Sequence, residues 1–342
     1  MTVRWGIIGC GDVCERKSGP AFQKAERSRL VAVMRRDRAL SQDFARRHGV
    51  EKFYDDSDAL VSDPDVDAVY IATPPGTHLE HALRACRAGK PAYVEKPMAR
   101  NHEECIAMMT AFERAGVPLF VAYYRRALAR FLAVRDAIAS GRIGTLTGIN
   151  YQYAAPHHVG VDRLAPPWRI RAEDAGAGLF LDLGSHTLDI VDFVLGPLAN
   201  VTGLAANVAT DCDVEDTVAM TFSTRRVPGA AHWSFATASR QDRIDILGTD
   251  GEVSLATFGD EPVKITSKGE TEHLTLPNPV HIQQPLIQTV VDAIEGRGHC
   301  ESTGTSAART SAVMDRALAS YYGTRAGDFW RRPDTWPGRR AG

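Results

Sequence analysis

The run Ala92-Tyr93-Val94 ends in Glu95-Lys96-Pro97, so an acid and a base stand where an apolar strand stops. Charge is costly at such a place unless it meets a partner or takes part in chemistry. A lysine at a strand tip, aimed into a cleft, can protonate a carbonyl oxygen while a hydride reaches the carbon, and can take the proton back in reverse. Glu95 offsets its charge, and Pro97 stiffens the turn that aims it. A second pair lies far along the chain, in "AGAGLFLDLGSHTLDIVDF". There Asp182 and His186 are four apart, hence neighbours on one helix face, with Asp189 one turn further. A carboxylate so placed orients an imidazole and stabilises its charged form, which suits a second acid/base group.

A third constellation binds rather than reacts. "GIIGCGDVCER" sets Gly9, Gly11 and Cys14 directly after an apolar strand. Gly9 permits a tight turn, Gly11 lets the backbone approach a pyrophosphate, and Cys14 is small enough for the helix to pack. Phosphate would rest on the free N–H groups that open the helix. In "AVMRRDR", Arg35 and Arg36 occupy the strand tip where an acid would receive the ribose hydroxyls of NAD. Guanidinium groups there suit a 2′-phosphate, so NADP is the expected cofactor and NAD the alternative. In "IATPPGTHLEHA", Thr73-Pro74-Pro75 forms a rigid strand exit at the same crevice, and His78 either caps the next helix or reaches the cofactor.

These groups need elements to hold them. Strands are predicted at 3–9, 29–34, 68–72, 91–95 and 117–122, separated by helical patterns such as Leu79, Ala82, Leu83 and Cys86. Such alternation implies βαβ units and a parallel sheet. A further helix carries Phe131, Val134, Arg135 and Ile138 on one face and closes near Gly141. Beyond about residue 145 the pattern becomes that of hairpins: Val218/Met220/Phe222, Trp233/Phe235 and Ile244/Ile246, with a turn at Asp250-Gly251. Helices are expected near 174–195, 284–295 and 306–322. The predicted strands are read as carrying apolar groups on both faces. The segment 154–175, rich in His, Arg, Pro and Trp, reads as a long functional loop.

The 342 residues exceed what one core usually serves, so two domains are expected. With 44% apolar residues, 24% charged and a net charge of −2, the chain has no footprint for nucleic acid or a membrane surface. No stretch approaches the roughly 20 apolar residues of a membrane span, and "VRWGIIG" follows the start with no leader pattern, so a cytoplasmic protein is expected. Six cysteines without a CxxC pair imply reduced, mostly buried thiols and no metal site. The basic tail (Arg331, Arg332, Arg339, Arg340) reads as a frayed end.

In order and spacing, "GIIGCGDV", "VAVMRRD", "ATPPGTH", "VEKPMA", "VAYYRRALARF", the Asp182-to-His186 helix, "VEDTV" and "ILGTDGEV" resemble the Gfo/Idh/MocA oxidoreductase family over nearly the whole chain. The resemblance implies an α/β protein. Residues 1–122 would form an NAD(P)-binding Rossmann domain with a doubly wound parallel sheet. Residues 123–342 would form an α+β substrate domain with an open, mainly antiparallel sheet, joining a homodimer or homotetramer, and the C-terminal helix is allowed to pack back on the first domain. It implies hydride exchange between NAD(P) and a sugar, polyol or related hydroxyl compound, with Lys96, Asp182 and His186 catalytic. Cofactor contacts would come from Gly9, Gly11, Asp12, Val13, Arg35, Arg36, Thr73, Pro74, Pro75, His78, Glu95, Lys96 and Arg125. Substrate contacts would come from Tyr153, Trp168, Arg169, Asp182 and His186. Two positions depart from the family pattern: Arg35 stands where NADP-preferring members carry Ser, and Tyr124 where many carry Asn. Trp168-Arg169 resembles the "WR" of the anhydrofructose-reductase-like and glucose-fructose-oxidoreductase-like branches. Two rival readings follow from the same motifs: a non-catalytic nucleotide-binding regulator, and an enzyme with tightly held cofactor performing a net non-redox reaction.

Overall fold

The computed structural model describes residues 2–157 and 165–339. Residues 158–164 of the long loop, and Arg340 of the basic tail, lie outside the described residues. The chain groups into two compact units: Met1–Leu128 with Pro279–Ala308, and Ala129–Asn278 with Arg309–Gly342.

The first unit is built on six parallel strands: β1 Val3–Ile8, β2 Ser28–Met34, β3 Lys52–Tyr54, β4 Ala68–Ile71, β5 Ala92–Val94 and β6 Leu119–Val121. Their order is β3-β2-β1-β4-β5-β6. It reverses between β1 and β4, the point where carboxyl strand ends part and open a crevice. Helices cover the sheet because their sequences start and stop cleanly. Asp37 accepts the Leu40 N–H at 3.1 Å to open Arg38–His48, and Asn101 accepts the Glu104 N–H at 2.8 Å to open His102–Ala115. Gly49 and Gly116 close these helices at φ 64° and 65°, a conformation that suits glycine. Val69, Ile71, Val94, Met108 and Phe112 meet in one buried cluster between sheet and helices. Strand β3, absent from the sequence reading, is three residues long and is held through its pairing with Ala32–Met34.

The second unit carries an eight-stranded sheet. Its strands are β7 Leu146–Pro156, β8 Leu198–Ala206, β9 Thr217–Thr224, β10 Val227–Ser234, β11 Ala236–Gly248, β12 Gly251–Leu255, β13 Val263–Ser267 and β14 Glu270–Leu274, in the order β14-β13-β12-β11-β7-β10-β9-β8. Only β7 and β10 pair in parallel. The two faces differ more than the sequence suggested. Val218, Met220, Phe222 and Trp233 all point to one buried side. The opposite face presents Gln152, Thr202, Ala219, Thr221 and Ala230, exposed, together with Leu204 at 68% exposure. The expectation of large apolar groups on both faces is therefore corrected. Strand alternation sends the aromatics to one side and small or polar residues to the other.

The described part of the C-terminal tail, as far as Arg339, is packed rather than frayed. Trp336 is buried against Tyr322 and Phe329, and Arg339 Nε meets Asp213 at 3.0 Å. All six cysteines are free thiols, five of them buried. No described helix is long and apolar enough to cross a membrane.

Candidate active site

In the first unit, the predicted binding residues gather at the carboxyl ends of β1, β2, β4 and β5. Gly9 has φ +89°, and a β-carbon there would lie 2.8 Å from the Thr73 methyl and 2.9 Å from the Thr73 nitrogen, so β1 can meet the β4 exit only through glycine. Gly9 and Cys10 both donate to Met34 O, at 2.9 and 3.2 Å, which bends the chain back over β2. At Gly11 a β-carbon would meet nothing closer than Gly9 O at 3.9 Å and would point into open space. Asp12 and Val13 open the following short helix, where N–H groups lack intrahelical partners. A bare glycine surface beside free amides fits a pyrophosphate.

Arg35 is partly exposed and Arg36 exposed, directly past β2. Burial pushes the Cys10 thiol up to about 11, and the positive charge of Arg35 opposes that push. Asp37 is the first acid after the strand, but it is engaged as a helix cap. Arg38 lies over the Phe53 ring, 5.2 Å from its centroid, and pairs with Asp55.

At the β4 exit, Thr73 and Pro74 stay partly exposed while Pro75 is buried at the start of a 3-10 turn. Thr77 Oγ1 donates to Thr73 Oγ1 at 2.9 Å. His78, expected as a cofactor contact or cap, makes no side-chain cap of the helix it opens. It is fully buried, with Nε2 2.7 Å from Thr73 O and Nδ1 3.1 Å from Pro97 O. Burial lowers its pKa, against the pull of the Thr73, Met98 and Pro97 carbonyls that face its two ring nitrogens. The imidazole therefore ties the β4 exit to the Lys96-Pro97 turn.

Glu95 turns inward. Its Oε1 accepts from Tyr70 Oη at 2.5 Å and Gln283 Nε2 at 2.6 Å, and its Oε2 from the Lys96 amide at 3.1 Å. Tyr93 Oη donates to Gln283 Oε1 at 3.1 Å, and the Tyr70 and Tyr93 rings stack at 5.2 Å. A carboxylate that is 7% exposed is thus satisfied by three donors, and it pins the backbone from which Lys96 projects. Lys96 itself is partly exposed, and its bond to Pro97 is cis. Sequence reasoning missed Gln283, because only the return of the chain brings it under β5. Arg125 is buried in the turn after β6, over the Tyr124 ring at 4.9 Å.

The second unit holds the other predicted residues. Trp168-Arg169 forms a 3-10 turn in which the guanidinium covers the indole at 4.5 Å and Arg169 Nε stands 3.4 Å from Asp182 Oδ2. The glycine stretch that follows is anchored from below. Gly178 donates its N–H to Glu215 at 2.9 and 3.1 Å, and a β-carbon at Gly178 would come within 2.3 Å of the Glu215 carbonyl. Glu215 is fully buried and also accepts from Tyr322 Oη. Burial pushes its carboxyl up to about 7, against the pull of those hydrogen bonds.

The helix begins as a π-helical turn, Phe180–Gly184, before the α-helix Ser185–Leu195. Asp182 and His186 thus stand across a widened turn rather than on a regular α face; such turns are common at functional sites. Gly184 makes room for the Phe180 ring, which a β-carbon would meet at 2.6 Å. Asp189, read from sequence as part of the polar face, is buried and faces Thr310 Oγ1 at 3.5 Å. Asp192 receives a two-pronged bond from Arg309, at 2.6 and 3.0 Å. These contacts fix the helix that carries His186.

Tyr153 is 4% exposed, and its hydroxyl lies 2.6 Å from His157 Nε2. Burial and the field of Arg240 lower the His157 pKa, against the opposing charge of Asp182. Phe258 meets both His186 and Tyr153, with centroids 5.8 and 5.5 Å away. His157 and Phe258 carry no spacing signal; fold contacts alone bring them here.

Comparisons with known proteins agree with this geometry. Residues 3–123 match the family model described as "Oxidoreductase family, NAD-binding Rossmann fold", and residues 131–254 match the "GFO/IDH/MocA C-terminal domain". The chain is 34% identical over 316 residues to Oxidoreductase P35 of Formosa agariphila, covering 92% of this chain and 97% of that one. It is 31% identical to the 1,5-anhydro-D-fructose reductase of Ensifer adhaerens, covering 88% and 91%. A structure of levoglucosan dehydrogenase in complex with NADH superposes with a TM-score of 0.82 at 21% identity, over 93% of this chain and 96% of that one, a likeness of fold. A glycine cradle at the β1/β4 switch, a lysine held at the tip of β5 and matching models for both halves lead to one conclusion: the chain belongs to the Gfo/Idh/MocA family and is an NAD(P)-dependent oxidoreductase.

Proposed function

We propose that the enzyme transfers a hydride between NADP(H) and a hydroxyl or carbonyl carbon of a sugar, cyclic ether sugar or polyol. The observation that carries this reading is Lys96, held at the carboxyl end of a nucleotide-binding sheet by a buried, fully engaged Glu95. The nicotinamide cofactor, when bound, supplies or accepts the hydride. Lys96 gives the proton to the developing alkoxide in reduction and removes it in oxidation. His186 is a second acid/base group or a ligand of a substrate hydroxyl, and Asp182 orients it. Tyr153, Trp168 and Arg169 contact the substrate. The names of the relatives, anhydrofructose reductase among them, support a carbohydrate.

Arg35 and Arg36 support NADP. Both follow β2, Asp37 is spent as a cap, and a 2′-phosphate would meet guanidinium where NAD would need a carboxylate. Gly9, Gly11, Asp12, Val13, Thr73 and Pro74 form the rest of the cofactor surface. Assembly through the bare face of the second sheet, as a dimer or tetramer, belongs to the same reading. So does a reducing, cytoplasmic setting, which suits six free thiols.

Mixing the protein with NADPH or NADH and a panel of sugars, anhydro-sugars and polyols, and following nicotinamide absorbance, tests the proposal. Turnover with a carbohydrate and a lower KM for NADPH is expected. Binding of the dinucleotide without turnover of any panel member would favour a regulator and overturn the reading.

A further inference from the structure

The loop after β12 is restrained from both sides. Asp242 turns its carboxylate onto three successive amides: Thr257 at 3.0 Å, Phe258 at 2.6 Å and Gly259 at 3.2 Å. On the other side, buried Arg130 donates to Glu261 O at 2.9 Å and to Gly259 O. Thr257 Oγ1 also lies 3.2 Å from Thr187 Oγ1, next to His186 in the chain. With its amides and carbonyls both engaged, the loop has little freedom left, and the group it presents is Phe258. That ring stands nearly perpendicular to the His186 imidazole, at 82°, and at 65° to the Tyr153 ring. It remains partly exposed. An aromatic ring kept in contact with water is a poor core residue, yet this one is fixed in place beside an imidazole and a tyrosine.

We infer that Phe258 is a stacking platform for a ring-shaped carbohydrate or cyclic polyol, and that Asp242 is the positioning residue that holds it. This rests on the carbohydrate reading above and narrows it. A pyranose or cyclohexane polyol gathers C–H bonds on its face and projects hydroxyls around its rim. The face removes the aromatic ring from water, while the rim leaves hydroxyls free for polar partners such as Tyr153, His186 and Asp182. An open-chain polyol has no such preformed face, and laying it flat on the ring would cost its own torsional freedom. A rigid platform therefore selects cyclic substrates.

The test compares kcat/KM for myo-inositol and methyl glucoside with that for glucitol and mannitol, using saturating NADP and the wild-type, Phe258→Ala, Phe258→Trp and Asp242→Asn proteins. The wild type should prefer the cyclic compounds. Phe258→Ala should lose about tenfold with them, chiefly through KM, and change little with the open-chain ones. Phe258→Trp should restore the preference. Asp242→Asn should show the same selective rise in KM, a pattern that a general loss of stability does not produce. Equal losses in both classes, no restoration by tryptophan, or a wild type that prefers open chains would each overturn the platform. A wild type inactive on both classes would instead remove the carbohydrate reading itself.

Discussion

A lysine ammonium performs proton transfer only if its backbone is held still. The residues around Lys96 do this from beneath: Glu95 is bound by Tyr70, Gln283 and the Lys96 amide, and His78 clasps the turn through the Pro97 carbonyl. Replacing Lys96 by Met should therefore leave the fold and dinucleotide binding intact while turnover falls by about 10²–10⁴, the scale of a lost general acid/base. Near-normal turnover, with hydride transfer shown to be rate-limiting by a deuterium isotope effect, would remove Lys96 from the mechanism. Cofactor choice is decided at the same scale. Arg35→Ala with Arg36→Ala should weaken NADPH by about 1.5–3 kcal/mol per lost charged hydrogen bond and leave NADH nearly unchanged, as measured by fluorescence titration. An equal loss for both cofactors would show that neither guanidinium touches the 2′-phosphate. The groups legible in the sequence were those whose chemistry is local: glycines after a strand, arginines at a strand tip, a lysine before a proline. The inward partners of Glu95 and His78 were not legible because they lie up to 188 residues away, and only the folded chain shows which side a carboxylate or an imidazole faces.

Elements position groups by their ends, and the helix carrying Asp182 and His186 is anchored where it begins. Gly178 must be glycine to sit on Glu215, and Glu215 is itself closed in by Tyr322, with Arg325 donating to Gly176 O at 2.9 Å. A buried carboxyl whose pKa rises from 4.5 to about 7 makes stability depend on pH. Between those values the unfolded chain has released the proton while the folded one retains it. The contribution is thus fully present below the lower value and is lost as pH rises through the upper one. Thermal unfolding of wild type and Glu215→Gln should accordingly converge or cross, the wild type losing ground to the variant between these two pH values. Parallel curves over that window would show that Glu215 does not hold its proton in the folded state. Strands β1, β2, β4, β5 and β6 could be read from short apolar runs, β9 to β11 from apolar alternation, and the Asp250-Gly251 turn from its residue types, whereas β8, β13 and β14 carried no pattern that was read. The π-helical turn could not be read, since no period in the sequence marks it; there the Phe180 ring lies where a β-carbon at Gly184 would be. Strand β3 was missed for a similar reason: three half-buried residues carry no pattern, and their neighbour β2 makes them a strand.

At the scale of the whole molecule, the second sheet leaves one face without a covering layer. The sequence reading placed large apolar groups there; the chain instead sends Val218, Met220, Phe222 and Trp233 inward and offers small side chains outward. This alters the physical case for assembly without removing it. Gln152, Thr202, Ala219, Thr221 and Ala230 line a shallow hollow together with His232, Arg243 and Asp245, and Leu204 supplies an exposed apolar group there. A two-fold axis through such a face brings each residue opposite its own kind or a near neighbour, and a single patch then serves both partners. The small residues can pack in that arrangement, and the Arg243 charge on this face is already matched by Asp245 at 2.8 Å. The expected particle is thus a dimer of twice 37.3 kDa, or a tetramer built from such dimers. Placing long cations at the centre, by Thr221→Arg with Ala230→Arg, should split it into monomers, because each pair of charges would face its own copy across the axis. Light scattering across a concentration series measures this directly. A wild-type mass of one chain at every concentration, or a double variant that assembles as the parent does, would show that this face is not the interface.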